Sequence, residues 1–191
     1  MNLQITSQRF AIRVLLILAL ASLSLSCAKK SQPLDLGPVI LQAPAEWTST
    51  PPASVMRKAQ FTLPRAEGDS EDGELVVFYF QGGGGSAQAN LERWYGQFEQ
   101  PDGGSSSEKA KTATATVDGM PITTVDLSGT YVAPITPMDP TNRHNKPNFR
   151  MLAAVLETGE GPFFFKLVGP EKTIEKWSAA FGDFVKSARK K

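Results

Sequence analysis

Between Leu75 and Phe80 the chain is apolar in both phases of a strand, with Val76, Phe78 and Phe80 on one side and Leu75, Val77 and Tyr79 on the other. Successive side chains of a strand point to opposite faces, so a sheet with one wet face alternates apolar and polar residues. A run that lacks this alternation needs a cover on each face. The pattern returns in Phe149 to Thr158, where Leu152, Ala154 and Leu156 oppose Met151, Ala153 and Val155, and again in Phe163 to Val168. The glycines Gly159 and Gly161 between those two runs predict a tight antiparallel pair. Central strands of this kind restrict the fold to layers, with a sheet in the middle and helices or long loops on both sides.

The remaining periodicity supplies those layers. Met56 to Leu63 alternates Ala59, Phe61 and Leu63 against Lys58, Gln60 and Thr62, a strand with one wet face that Pro64 stops. Lys111 to Val117 and Ile122 to Leu127 flank Asp118-Gly119, a strong hairpin signal, and Pro121 predicts an irregular or edge start to the second strand. Leu91, Trp94, Tyr95 and Phe98 share one face of a helix that Ser86 can cap, although Gly96 weakens it by up to about 1 kcal/mol relative to alanine. A last helix follows Gly169 and Pro170, with Ile174, Trp177, Phe181, Phe184 and Val185 as its buried stripe. Residues 133 to 148 carry four prolines and little that packs, and are expected to form a long mobile loop. The expected fold is α+β: an antiparallel sheet of five or six strands flanked by two amphipathic helices, as one domain over residues 39–191.

The N-terminus is an address. Arg9 and Arg13 precede the apolar run Val14 to Leu25, the order of a secretory leader, and the run is too short to span a bilayer as a helix. It closes in Leu23-Ser24-Leu25-Ser26-Cys27, which resembles the lipobox of bacterial lipoproteins. That resemblance implies cleavage after residue 26 and acylation of Cys27, the chain's single cysteine, by fatty chains such as palmitate. The commonest lipobox has leucine three places before the cysteine, where Ser24 stands here, so ordinary cleavage without lipidation is the alternative. Ala28, in place of aspartate, favours by the same resemblance the outer membrane facing the periplasm over the inner membrane. Residues 1–26 are therefore read as the signal peptide and 27–38 as a lipidated N-terminus and tether. The whole chain has 20 Lys and Arg against 19 Asp and Glu, and losing Arg9 and Arg13 with the leader leaves −1. That balance gives no reason to expect nucleic acid as a partner.

Several local motifs extend a resemblance to the folded part. Pro44-Ala45-Glu46-Trp47, Met56-Arg57 at the start of a strand, Asn90-Leu91-Glu92-Arg93-Trp94 with Gln97, and Phe165-Lys166-Leu167-Val168-Gly169-Pro170 before the last helix occur in this order. Together they resemble uncharacterised bacterial envelope lipoproteins similar to the PsbP/Mog1-like α/β/α fold. The resemblance implies a fold over about residues 40 to 188 and no reaction, because fold likeness is not function.

Three places in the chain carry residue types suited to chemistry. Ser86 on a strand-to-helix turn, with Asp126 or Asp139 and then His144 following, has the chain order of a serine hydrolase, but Gln88 occupies the place where a nucleophile elbow needs a small residue. Helix capping by Ser86 is the simpler account. Gly82 to Gly85 before a helix could cradle a phosphate, yet neither nucleotide fingerprint is completed. Asp69, Glu71, Asp72 and Glu74 form an acidic stretch whose spacing fails the EF-hand pattern at Gly68 and Ser70. No catalytic, cofactor or metal site is therefore expected. Trp47 is expected to close one end of the core. The expected function is a non-catalytic binding or scaffold module for an envelope partner. The alternatives are a small-molecule or lipid carrier with a pocket between sheet and helix under the 133–148 segment, and a serine hydrolase. The N-terminal reading predicts that the purified chain begins at Cys27 with the added mass of acyl chains, checked by intact-mass analysis, and that Cys27→Ser releases it from the membrane fraction.

Overall fold

The computed structural model describes residues 31–80, 85–136 and 139–191. Cys27 and the leader, and Gly82, Gly83 and Gly84 of the glycine run, lie outside the described residues. Thirteen strands and three helices are present among the described ones.

The strands expected to be central are so. The main sheet has eight strands, all pairs antiparallel, in the order β3 (Thr48–Thr50), β4 (Arg57–Leu63), β5 (Gly73–Tyr79), β12 (Gly161–Pro170), β11 (Lys146–Thr158), β8 (Met120–Tyr131), β6 (Phe98–Glu99), with β7 (Lys111–Val117) also on β8. Strand β11 pairs with β12 from Phe149↔Pro170 to Thr158↔Gly161, the hairpin that the two apolar runs predict. Asp118 and Gly119, both at positive φ, form the turn between β7 and β8. Pro121 is accommodated in β8 opposite Thr116 of the outermost strand.

Alternation along these strands divides the core into two layers. On one face Phe61, Leu63, Leu75, Val77, Leu152, Leu156, Phe163, Phe165 and Leu167 pack against α3 (Glu171–Lys186) through Ile174, Phe181, Phe184 and Val185. A three-stranded sheet, β1 (Gln32–Asp35), β2 (Val39–Ala43) and β13 (Arg189–Lys190), completes this layer. Trp47 is buried there and meets Phe184 edge to face at 5.2 Å, as expected for a residue that closes the core. On the other face Val125, Leu127, Met151, Ala153, Val155 and Phe164 meet α1 (Ala87–Tyr95) through Leu91, Trp94 and Tyr95. The short α2 (Ser106–Lys109) lies between β6 and β7. No helix of the described residues is long and apolar enough to cross a membrane.

Three expectations are corrected. The strand count exceeds five or six because β1, β3, β6, β9, β10 and β13 are two to five residues long, too short to show a period. The segment read as a tether contains β1, whose Gln32 to Asp35 pair with Ala43 to Ile40. The segment 133–148, expected as a loop, folds into a hairpin of β9 (Pro134–Thr136) and β10 (Asp139–Arg143) and enters β11 at Lys146.

The start of α3 is tied to the acidic stretch. Pro170 at the N-cap offers no side-chain acceptor, and Asp69 supplies one from a distant loop, accepting from the Thr173 amide at 2.8 Å and its hydroxyl at 2.6 Å. Gly169 lets this junction approach β5, since a Cβ there would lie 2.9 Å from the Cα of Gly73. Losing an N-cap acceptor costs about 0.5–2 kcal/mol. Asp69→Ala should therefore destabilise the fold by about 1–2 kcal/mol, read as a lower urea midpoint at unchanged m-value.

Candidate functional site

Strand β12 alternates Phe163, Phe165 and Leu167 toward α3, so Phe164, Lys166 and Val168 face α1. Lys166 therefore enters the second layer in the middle of the sheet, between Val76 of β5 and Ala153 of β11. A strand covered on both faces normally excludes an ammonium. Here α1, only nine residues long, ends at Tyr95 and leaves space beside it.

That space is a cavity of about 580 Å³ lined by Arg57, Phe78, Phe80, Arg93, Trp94, Gln97, Tyr131 and Lys166, with Ala133, Pro134 and Arg143 of the β9–β10 region above. The Lys166 ammonium donates to Gln97 Oε1 and sits 5.8 Å from the Trp94 ring and 5.3 Å from that of Tyr131. Arg57 lies over Phe78 at 5.9 Å. Ring faces attract cations, but more weakly than a carboxylate does in a dry site. The hairpin is pinned over the cavity by backbone-directed bonds: the Val132 amide donates to Gln97 O at 2.8 Å, Arg143 Nε to Val132 O at 2.6 Å, and the His144 amide to Ala133 O at 2.9 Å. Tyr131 stacks between His144 at 5.4 Å and Phe149 at 6.0 Å.

The electrostatics are unbalanced. Glu74 reaches Arg57 at 3.6 Å and accepts from Gln60 at 2.7 Å. Arg93 donates to Asn90 Oδ1 at 2.7 Å, and Arg143 and Lys166 likewise donate to neutral oxygens. Among the described residues no carboxylate is in ion-pair range of Arg93, Arg143 or Lys166, and the residues outside the description contain no Asp or Glu. Loss of water pulls the Lys166 amine down to about 7, with Glu74 opposing and Arg93 and Arg57 adding to the fall. The residue as a whole is half-buried, because it borders the open cavity. Burial also pushes the Tyr131 phenol up to about 12.

The residues weighed for chemistry are placed apart and engaged elsewhere. Ser86 caps α1, accepting from the Ala89 amide at 3.1 Å. Asp126 holds Arg150 through two bonds of 2.7 and 2.8 Å, and Glu175 of α3 binds the same guanidinium. Asp139 accepts from the Thr141 hydroxyl and amide, which hold its carboxyl below the usual range. His144 stacks on Tyr131. In the acidic stretch, Asp69 caps α3, Glu71 pairs with Lys146 at 2.6 Å and Asp72 accepts from the Arg65 amide at 3.0 Å. Among the described residues no group of three or more His, Cys, Asp or Glu is placed to hold a metal ion.

The pocket brings together residues that the sequence shows only as scattered positions. Arg57, Arg93, Trp94, Gln97 and Lys166 all belong to motifs with the character of packing and turn residues, and their convergence depends on the strand order β4-β5-β12 and on α1 crossing that face. One signal was available: a lysine inside Phe163 to Val168, where both phases are otherwise apolar, has no reason to be there as packing.

Family models give no match to the chain. No curated protein matches it. Among solved structures, the cyanobacterial PsbP of Synechocystis aligns at 14% identity with a TM-score of 0.52, covering 91% of this chain and 99% of that one. The Ran-binding protein Mog1p of Saccharomyces cerevisiae aligns at 9% identity and 0.46, covering 84% and 95%. LpqN of Mycobacterium tuberculosis, involved in cell envelope biogenesis, aligns at 11% identity and 0.45, covering 84% and 90%. The PsbP alignment shows the fold to be PsbP-like, in agreement with the fold that the sequence motifs imply.

Lys166 gives the fold a pH signature. Its folded-state pKa of about 7 lies below the ordinary lysine value of 10.5, so between those limits the unfolded chain holds a proton that the native one does not. Stability therefore rises with pH across that window, and the full penalty of the buried charge is felt below about 7. Lys166→Met, similar in volume and uncharged, should be more stable than the parent near pH 6. The gap should narrow steadily as pH rises toward 10, measured by paired urea titrations.

Proposed function

We propose that the chain is an exported, lipid-anchored, non-catalytic binding module that holds a small ligand in the pocket between the sheet, α1 and the β9–β10 hairpin. The observation that carries this reading is the cavity itself: about 580 Å³ on a face where cations and rings converge from β4, β5, β8, β12 and α1. Cavities of this size, with apolar walls and a few convergent polar groups, are the usual form of small-molecule sites. The anchor at Cys27 would hold the module beside a bilayer, and the hairpin would form one wall of the entrance.

A second reading concerns a protein partner. Strand β7 has six exposed residues of seven, mostly Thr and Ala, and no described strand pairs with its outer edge. Beside it a hollow of about 490 Å³ runs between Ile122, Leu152, Phe181 and Val185. An open edge with small side chains can accept an added strand from an envelope component. The pocket is preferred, because it contains charged groups whose cost the fold alone does not explain.

Solvent extraction and mass spectrometry of the purified full chain test the pocket. A small molecule should copurify in about equimolar amount and be lost in Gly96→Trp. Gly96 is exposed at the cavity's edge, and a Cβ there meets nothing nearer than 3.7 Å, so bulk can be added beside the pocket without displacing backbone. Equal extracts, empty or full, from parent and variant would overturn the reading.

A further inference from the structure

Resting on the pocket reading, the geometry points to a definite ligand class: a small amphiphilic anion, whose acid headgroup is received by Lys166, Arg93, Arg143 and Arg57 and whose apolar part lies along Phe78, Phe80 and Trp94 toward the mouth. Among the described residues four cations line the cavity and one carboxylate, the exposed Glu74, offsets one of them. The remaining three are held in place by neutral oxygens of Gln97, Asn90 and Val132. Neutral acceptors orient a cation without cancelling its charge, so the site keeps a positive field, with the Lys166 amine desolvated and Arg93 and Arg143 exposed at its edge. Desolvated charge of one sign costs free energy until a counter-charge arrives. An incoming anion supplies it.

The apolar half of the ligand is indicated by the mouth. Val55, Met56 and Ile135 are the exposed large hydrophobics among the described residues. Met56 lines the cavity, Val55 precedes it, and Ile135 follows the lining residue Pro134. All three therefore belong to the segments that form the cavity's rim. A compact inorganic ion would leave this rim and the stacked pair Phe78 and Phe80, 6.0 Å apart, without a partner. An acid carrying an alkyl or aryl group engages both ends.

Binding is coupled to protonation of Lys166. The charged and titratable groups facing the amine are Arg57 of β4, Glu74 of β5, Arg93 of α1, Tyr131 of β8, and Arg143 and His144 at the end of the hairpin. Tyr131 is neutral below its raised pKa of about 12. A bound anion favours the ammonium, so binding above neutral pH takes up a proton and affinity falls as pH rises.

Calorimetric titration of the full chain with two matched pairs tests this: octanoate against octan-1-ol, and benzoate against benzyl alcohol. Carboxylic acids of this kind are fully ionised above about pH 6, so any pH dependence belongs to the protein. At least one acid should bind with proton uptake, revealed by buffers of different ionisation heat, and its alcohol at least tenfold more weakly. Affinity should fall on the order of a hundredfold between about pH 6 and about pH 9, as expected for a required proton with a pKa near 7. Octanoate leading would indicate a lipid-like chain and benzoate a free aromatic acid; either supports the inference. Lys166→Met should abolish the pH dependence, and the exposed Arg93→Gln should weaken binding several-fold without threatening the fold. Acids binding no better than their alcohols, or no probe binding at millimolar concentration, would overturn the anion assignment. The copurification experiment would still decide the pocket reading separately.

Discussion

Placing an amine on a strand that is covered on both faces is the constraint around which one side of this sheet is organised. Lys166 stands on β12, between β5 and β11, where its own neighbours Phe165 and Leu167 are fully buried toward α3. Desolvating a charge costs several kcal/mol unless partners compensate, and a group so placed tends to lose its proton instead. The second layer responds accordingly. Gln97 turns an oxygen toward the ammonium, Trp94 and Tyr131 present ring faces, and a cavity remains where a longer helix or larger side chains would have filled the space.

The two faces of the sheet therefore solve different problems. On the α3 side a sixteen-residue helix, through Phe184 and its neighbours, and a second small sheet close over Phe163, Phe165 and Trp47, and packing dominates. Its polar features are junctions, such as Asp69 capping α3 and Arg150 joining Asp126 to Glu175. Even there a polar atom is sacrificed, since the buried Trp47 Nε1 finds no hydrogen-bond partner among the described residues while the ring packs edge to face on Phe61, Trp177 and Phe184. On the α1 side a nine-residue helix covers only part of the sheet, and the β9–β10 hairpin covers the rest without filling it. A rigid packed face beneath an incompletely filled one is a suitable support for a site, because the strands that carry its residues cannot drift.

What could be read from the sequence follows the reach of each signal. Alternation located β4, runs apolar in both phases located β5, β11 and β12, the Asp118-Gly119 turn located β7 and β8, and the α3 stripe from Ile174 to Val185 was evident from its spacing. The hairpin β9–β10 was hidden because Pro134, Pro137 and Pro140 break any period, and because its register shifts between Asp139 and Arg143, so no alternation exists to find. Strand β1 escaped because Gln32-Pro33-Leu34-Asp35 reads as linker until β2 is known to lie beside it. The site was the least legible part. Arg57 belongs to a strand that looked half-wet, Arg93 to the polar side of a helix and Gln97 to a connection. Only the strand order brings them to one cavity. Lys166 is a charge inside a run otherwise apolar in both phases, but the apolar neighbours Phe165 and Leu167 dominate that run, so it reads as a central strand and not as a site.

A sequence selected only for stability would place an apolar residue at 166, since replacing a buried charge by a well-packed hydrophobe is commonly neutral or stabilising. Retaining lysine there, with Arg93 and Arg143 nearby and no carboxylate in ion-pair range of any of the three, lowers the stability of the empty form. The same deficit strengthens the bound form. An anion that enters removes the electrostatic penalty as well as contributing its own contacts, so affinity and stability become linked through one amine. The cost is then localised: it falls on a single face, is relieved by a single class of ligand, and leaves the α3 layer free to hold the fold whether or not the pocket is filled.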